Sequence, residues 1–165
     1  MLKLSSLKID PEFSAQILPL SFEELQQIEM NMIRDGKLTD PIIVWNKTIL
    51  DGHNRYNRLK KHPFIEYEIK EMELSSRQEA LIWICNHQLG RRNLTPQQKK
   101  YLIGQRYKAE KQIHGGDRKS EQAKSSSQNG NLISPLKTCD RIAEETNTSK
   151  NYVIRAEHFS DGIDA

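Results

Sequence analysis

The stretch that most constrains this chain is the apolar run Pro41-Ile-Ile-Val-Trp45, together with the hairpin and helix start immediately after it. A short run of this kind, bounded by turn residues, reads as a buried strand. Asn46-Lys47 supplies a turn and Thr48-Ile-Leu50 returns as a second strand. Asp51-Gly52 breaks that strand, and a helix is predicted from His53 to Lys61. Gly52 lets a backbone approach a ligand with no Cβ in the way. The helix opens with free N–H groups and a partial positive charge, which favour an anion. Arg55 lies in its first turn and Arg58 follows at i+3 on the same side. Strand, glycine, helix start and arginine together suggest phosphate binding. The plainer reading is an ordinary strand-to-helix turn with solvated arginines, and these residues alone leave both open.

Pro41-Ile-Ile-Val44, the hairpin, and Leu50-Asp-Gly-His-Asn-Arg-Tyr56 resemble the N-terminal domain of the ParB partition proteins. In that family a Pro-Ile-Ile-Val strand leads to a Gly-Glu-Arg-Arg motif that holds nucleotide phosphates. Gly52 matches the glycine and Arg55 the second arginine, while His53 stands for the Glu and Asn54 for the first Arg. Tyr56 keeps an aromatic position. The resemblance also implies that Gly36–Val44 lines a base pocket. Sulfiredoxin has the same fold with a reactive cysteine after the glycine. His53 stands there in this chain, which argues against thiol chemistry of that kind.

A second motif resembles the same family. Asn86-His-Gln-Leu-Gly-Arg-Arg-Asn-Leu-Thr-Pro96 is similar to its Glu-Asn-x-Gln-Arg followed by Asp-Leu-Ser-Pro. Asn93-Leu-Thr-Pro96 matches the latter part, and Arg91 falls on the motif arginine with Arg92 beside it. His87 falls on the Glu and Gln88 on the Asn. That Glu serves metal coordination and hydrolysis in the family, and a neutral side chain cannot replace its charge. Phosphate binding therefore survives the comparison better than hydrolysis, and a weak CTPase is as far as the enzymatic expectation extends.

Charge is unevenly spread. Residues 1–90 hold 11 basic and 13 acidic side chains, residues 91–124 hold 10 and 3, and residues 125–165 hold 4 and 6. A basic segment between two slightly acidic ones points to a phosphate-rich partner, or more plainly to a solvated helix face with a basic tail. No apolar run approaches the ~20 residues of a membrane span, and no signal-peptide pattern opens the chain. The expectation is a cytoplasmic protein with no membrane partner. Cys85 and Cys139 lie far apart, have no zinc-finger spacing with histidines, and read as reduced thiols.

Taken in order, Leu7–Asp10 reads as a first strand, ended by Pro11. Ser21-Phe-Glu-Glu24 is a capping box, opening a helix with Phe22, Leu25, Ile28, Met32 and Ile33 at helical spacing and Gly36 as its stop. Phe64–Ile69 alternates as a strand, and Ser75 or Ser76 caps a helix over about 76–88. Thr95-Pro96 with Gln98 opens another, running to about Ile113. A polar linker comes next over His114–Asn131, whose Arg118, Lys119 and Lys124, with Lys111 before it, are candidate backbone contacts for DNA.

Thr138–Phe159 reads as a helix-turn-helix. Ile142 and Ala143 pack the first helix, Asn147 takes a left-handed turn conformation, and Ser149 caps the second. Val153, Ala156 and Phe159 are expected inward, leaving Ser149, Lys150, Asn151 and Arg155 to DNA. Thr148 departs from the pattern, since an apolar turn residue is common there. The alternative is a helix pair used for protein contact.

The expectation is an α+β protein: a small mixed sheet with helices, then an α-helical segment. Its parts are a nucleotide-binding domain over 1–90, a basic helix over 91–113, a linker over 114–135 and an incomplete helix-turn-helix over 136–165. The remaining helices and dimerising tail of a full partition protein do not follow Phe159, so the chain reads as a fragment or a shorter relative. The expected role is DNA-binding partition or transcription regulation, with CTP, with or without Mg²⁺, on Gly52, His53, Asn54, Arg55, Gln88, Arg91 and Arg92. A homodimer stays open. The alternative is a nuclease or phosphotransferase on the same fold, with Asp51 and His53 as acid and base.

Overall fold

The computed structural model describes residues 2–115 and 137–165. Seven α-helices and a three-stranded mixed sheet make up the described fold, so the α+β expectation holds. The chain divides into two units, Met1–Ile84 and Cys85–Ala165.

The first unit is built around the sheet. Strand β1 (Ile42–Trp45) pairs antiparallel with β2 (Thr48–Asp51) and parallel with β3 (Ile69–Glu71), giving the order β2-β1-β3. The hairpin turn places Asn46 and Lys47 at φ 47° and 63°, the left-handed geometry that a two-residue connection requires. β1 alternates in burial, with Ile42 and Val44 fully buried against Ile49, Tyr56, Leu59 and Ile65. Trp45 donates its indole N–H to the Leu74 carbonyl at 2.8 Å.

Helix α1 (Pro11–Ala15) departs from the sequence expectation. Asp10 caps it, accepting from the N–H groups of Glu12 and Phe13, and Pro11 opens it instead of ending a strand. The expected first strand is reduced to a single bridge from Lys8 to Thr48. Helix α2 (Phe22–Asp35) has the expected box, with Glu24 N–H on Ser21 Oγ at 3.2 Å and Ser21 N–H on Glu24 Oε2 at 2.7 Å. Gly36 closes it at φ 65°. Its apolar stripe is narrower than expected: Met32 is buried, while Phe22 and Ile33 are exposed. Helix α3 (His53–Leu59) is shorter than predicted. The Phe64–Ile69 strand begins late, because Phe64 turns outward, Glu66 makes only an isolated bridge to Lys37, and regular pairing starts at Ile69.

Arg77, at the start of α4 (Arg77–Leu89), bonds both carboxylate oxygens of Asp10 at 2.8 Å and Glu12 Oε2 at 2.6 Å, above the Phe13 ring. The Arg77 guanidinium holds the Asp10 carboxyl below its ordinary pKa. Ser76 Oγ caps α4 by accepting from Glu79 N–H.

The second unit packs α5 (Pro96–Gly115), α6 (Thr138–Glu145) and α7 (Lys150–Asp164) around Ile103, Ile142, Val153 and Ala156, all fully buried. The predicted Thr95–Gln98 box opens α5, with both reciprocal bonds formed. Gly104 is where α5 meets α7 backbone to backbone. A Cβ there would stand 2.6 Å from the Ala156 carbonyl carbon and 2.8 Å from Ser160 Oγ. The turn after α6 places Asn147 at φ 52°, and Ser149 Oγ caps α7 through Tyr152 N–H, as the sequence predicts. Phe159, expected in the core, is only half-buried and lies under the Lys100 ammonium, while Ser160 takes the fully buried position. Both cysteines are buried and unpaired, and burial pushes the Cys85 thiol up to about 12.

Candidate functional site

The end of β2 and the start of α3 bring Asp51, Gly52, His53, Asn54 and Arg55 together in the first unit. Gly52 has φ 97° and is buried, so the turn itself demands glycine. Space there is tight as well. A Cβ on Gly52 would lie 3.2 Å from Arg55 Nη2 and 3.4 Å from the Ile42 Cα. The Arg55 guanidinium therefore lies over Gly52, where its Nη2 donates to Asp51 Oδ2 at 2.9 Å and to the Pro41 carbonyl at 3.1 Å. Arg55 is half-buried and fastens the helix start to the end of β2 and to the residue just before β1. The reading of a solvated arginine fails here, and a phosphate would meet a guanidinium already engaged by a carboxylate.

Two polar groups beside this latch have no protein partner. His53 is 6 % exposed, and neither ring nitrogen makes a hydrogen bond. Arg55 Nε is buried and likewise unpartnered. Burial pushes the His53 imidazole below its ordinary pKa of 6.5, with the Asp51 charge pulling the other way, so the neutral ring is favoured. An unpaired buried polar group costs about 1–3 kcal/mol, and a bound polar ligand relieves that cost. The Asp51 carboxylate accepts from Arg55, and neither His53 ring nitrogen donates to it, so the carboxylate–His pair of the enzyme alternative is not formed. Asn54 is half-buried. Arg58, expected beside Arg55, instead donates Nε to the Leu25 carbonyl at 3.2 Å and faces Glu29 on α2.

Gln88, Arg91 and Arg92 belong to the second unit. Gln88 is fully buried on α4 with neither amide atom hydrogen-bonded. Arg91 and Arg92 are exposed in the turn before α5, and Arg91 N–H closes the last turn of α4 on the Gln88 carbonyl at 3.1 Å. Among the described residues, no three His, Cys, Asp or Glu side chains cluster as metal ligands.

On α7, Ser149, Lys150, Asn151 and Arg155 are all exposed, and Lys150 lies 3.8 Å from Asp140. His158 completes the i, i+4, i+7 row of Asn151 and Arg155 and is also exposed; helical spacing alone could have added it to the sequence-predicted set, which lacks it. The acids of α7 face α5 instead: Glu157 pairs with Lys111 at 2.7 Å, and Asp161 and Asp164 with Lys108 at 3.0 Å. Lys111 is thus occupied within the protein, and Arg118, Lys119 and Lys124 lie outside the described residues. Arg106, buried on α5, bonds Glu110 and Glu145, and Arg141 bonds both acids in turn. Burial works against the Arg106 charge, and the carboxylates of Glu145 and Glu110 outweigh it.

No family model matches the chain, and no curated protein matches its sequence. Solved structures do match. One crystal form of a pNOB8-like ParB-N domain superposes with a TM-score of 0.67 at 20 % identity, over 94 % of this chain and 66 % of that one. A second pNOB8-like ParB N-domain structure gives 0.65 at 22 % identity, over 94 % and 62 %. This chain thus spans less than two thirds of the length of either. The likeness is one of fold: the chain has the ParB N-domain fold. No helix among the described residues is long and apolar enough to cross a membrane.

Proposed function

We propose that this chain is a ParB-like partition or regulatory protein of the cytoplasm. In this reading its first unit binds a nucleotide, CTP, at the Asp51–Arg55 turn, and its α6–α7 pair contacts DNA. The observation that carries the nucleotide half is the cluster of buried polar atoms in the His53–Arg55 segment: both His53 ring nitrogens and Arg55 Nε lack protein partners, and the missing Cβ of Gly52 leaves room for the Arg55 guanidinium. Such a cluster suits a ligand rich in hydrogen-bonding groups. The fold shared with ParB N-domains supports the same reading. Gly52, His53, Asn54 and Arg55 would hold phosphates; the motif resemblance separately assigns phosphate contacts to Gln88, Arg91 and Arg92 of the second unit. The DNA half rests on the capped α7 and its exposed Asn151, Arg155 and His158 row, from which the acids of the helix are turned away.

The test is calorimetry with CTP, ATP, GTP and UTP, with and without Mg²⁺, on the unmodified chain and on Arg55→Ala. CTP is expected to bind most tightly, and Arg55→Ala to weaken it by about 1.5–3 kcal/mol, the value of a lost charge-assisted hydrogen bond. Unchanged affinity in a folded Arg55→Ala protein removes the phosphate assignment.

A further inference from the structure

The first unit contains a hollow of about 660 Å³ that shares no residue with the Asp51–Arg55 turn. Leu4, Leu59 and Ile65 give it an apolar lining, and Leu59 and Ile65 belong to the core itself. Tyr67 closes one wall, its hydroxyl accepting the Leu4 N–H at 3.4 Å. The formal charges on its lining are basic: Lys3, Lys60 and, when protonated, His62, with no acid among the lining residues. His62 is already answered, since its Nε2 meets Glu29 Oε1 at 2.6 Å. Neither lysine has a carboxylate partner among the described residues, whereas Lys108 and Lys111 of this same chain do. The Lys60 ammonium lies 4.2 Å from the centroid of the Tyr56 ring.

Each feature narrows the ligand. The volume lies in the range of about 300–1,000 Å³ usual for small-molecule sites. An ammonium resting on an aromatic face is held in place without consuming its N–H donors on a carboxylate, so less side-chain freedom is lost when an anion arrives. Apolar walls beside unmatched cations favour a ligand that joins an apolar body to a negative charge. They disfavour an inorganic anion, which would leave the walls wet, and a neutral apolar molecule, which would leave the ammonium groups unanswered. We infer that the hollow between Leu4, Leu59 and Ile65 is a binding site for a small apolar-bodied anion, such as an aromatic carboxylate or sulfonate, whose charge sits on Lys3 and Lys60.

The probe is 8-anilinonaphthalene-1-sulfonate, titrated by fluorescence into the full chain, with neutral N-phenyl-1-naphthylamine as its uncharged counterpart. The sulfonate is expected to bind saturably at one per chain. The double variant Lys3→Glu/Lys60→Glu should weaken it by about tenfold or more, the worth of a lost charge-assisted contact, and leave the neutral dye unchanged. Lys37→Glu/Lys70→Glu, which reverses two exposed lysines outside the hollow, should leave both dyes unchanged. Circular dichroism verifies that each variant is folded. If the charge reversal does not fold, Lys3→Gln/Lys60→Gln is read by the same criteria. Equal sulfonate affinity in the lysine variant, an equal loss in the control pair, or binding at many equivalent places overturns the assignment.

Discussion

Replacing Asp51 with Asn tests whether the carboxylate on Arg55 competes with a bound phosphate. In the protein, Arg55 Nη2 lies 2.9 Å from Asp51 Oδ2, and the two side chains are 23 % and 13 % exposed. A phosphate accepting from the same guanidinium would stand about 5–6 Å from that carboxylate, by ordinary hydrogen-bond lengths. At an effective dielectric of about 20, two unit negative charges at this separation repel by about 3 kcal/mol. The partial exposure of the pair and ordinary salt reduce this to about 1–1.5 kcal/mol. Asn keeps the shape and one acceptor oxygen while removing the charge. Asp51→Asn is therefore expected to tighten CTP and pyrophosphate by about five- to tenfold.

The same change should cost the free protein about 1 kcal/mol, because the Arg55 bond loses its charged acceptor. Stability falls while affinity rises, a combination that general damage to the fold does not produce. Calorimetric titration measures the affinity and urea unfolding the stability. The gain must also shrink as salt is raised, since screening weakens a repulsion between two charges. A folded Asp51→Asn protein with equal or weaker affinity, or a gain that salt leaves unchanged, refutes the argument.

Gly104→Ala places a Cβ against the Ala156 carbonyl and Ser160 Oγ, so it should destabilise the second unit by about 1–3 kcal/mol although alanine favours helix by about 1 kcal/mol; thermal unfolding measures the balance. Asn151→Ala/Arg155→Ala should cost about 1–3 kcal/mol per lost base contact on a selected DNA target and little on random DNA, and equal losses on both would leave α7 without a base-reading role. Stability should fall as pH drops below 6.5, because burial holds the His53 pKa below that ordinary value and the unfolded chain then binds more protons than the folded one. His53→Asn should flatten that part of the pH profile, above the range where carboxylates of ordinary pKa 3.8 and 4.5 contribute; an unchanged slope between about pH 6.5 and 5 would refute the assignment.

What is legible in the sequence is local. Capping boxes at Ser21 and Thr95, the Asn46-Lys47 turn, Gly36, Gly52 and Asn147 each stem from side-chain or φ requirements confined to a few residues, and each is present. Asp10-Pro11 is equally local yet misleads, because a proline can end a strand or open a helix, and only the cap on the preceding aspartate distinguishes the two. The errors of burial have a different cause. Phe64 and Phe22 are large and apolar yet exposed, and which side of a short loop or helix meets the sheet is decided by distant partners. The site divides in the same way. Spacing alone marks Gly52 and Arg55, but that Arg55 turns back onto Asp51 and the Pro41 carbonyl depends on the register of β1 against β2. Gly104 carries no local signal at all, since its reason is Ala156, on another helix.

Charge shows most plainly how a sum along the sequence differs from a surface. Residues 91–124 hold a large basic excess and residues 125–165 a small acidic one, which taken alone would assign nucleic-acid affinity to the first and deny it to the second. Folding redistributes it. The α5 cations Arg106, Lys108 and Lys111 meet Glu145, Asp161, Asp164 and Glu157 of α6 and α7; Lys99 donates to the Thr146 carbonyl, and Lys100 rests on Phe159. These pairs join α5 to α6 and α7, so much of the basic charge of α5 is neutralised within the protein. The same pairs turn the acids of α7 toward α5 and away from the row formed by Asn151, Arg155 and His158. The acidic count of the last segment is therefore no argument against that row, because four of its six carboxylates, Glu145, Glu157, Asp161 and Asp164, are engaged by cations of α5.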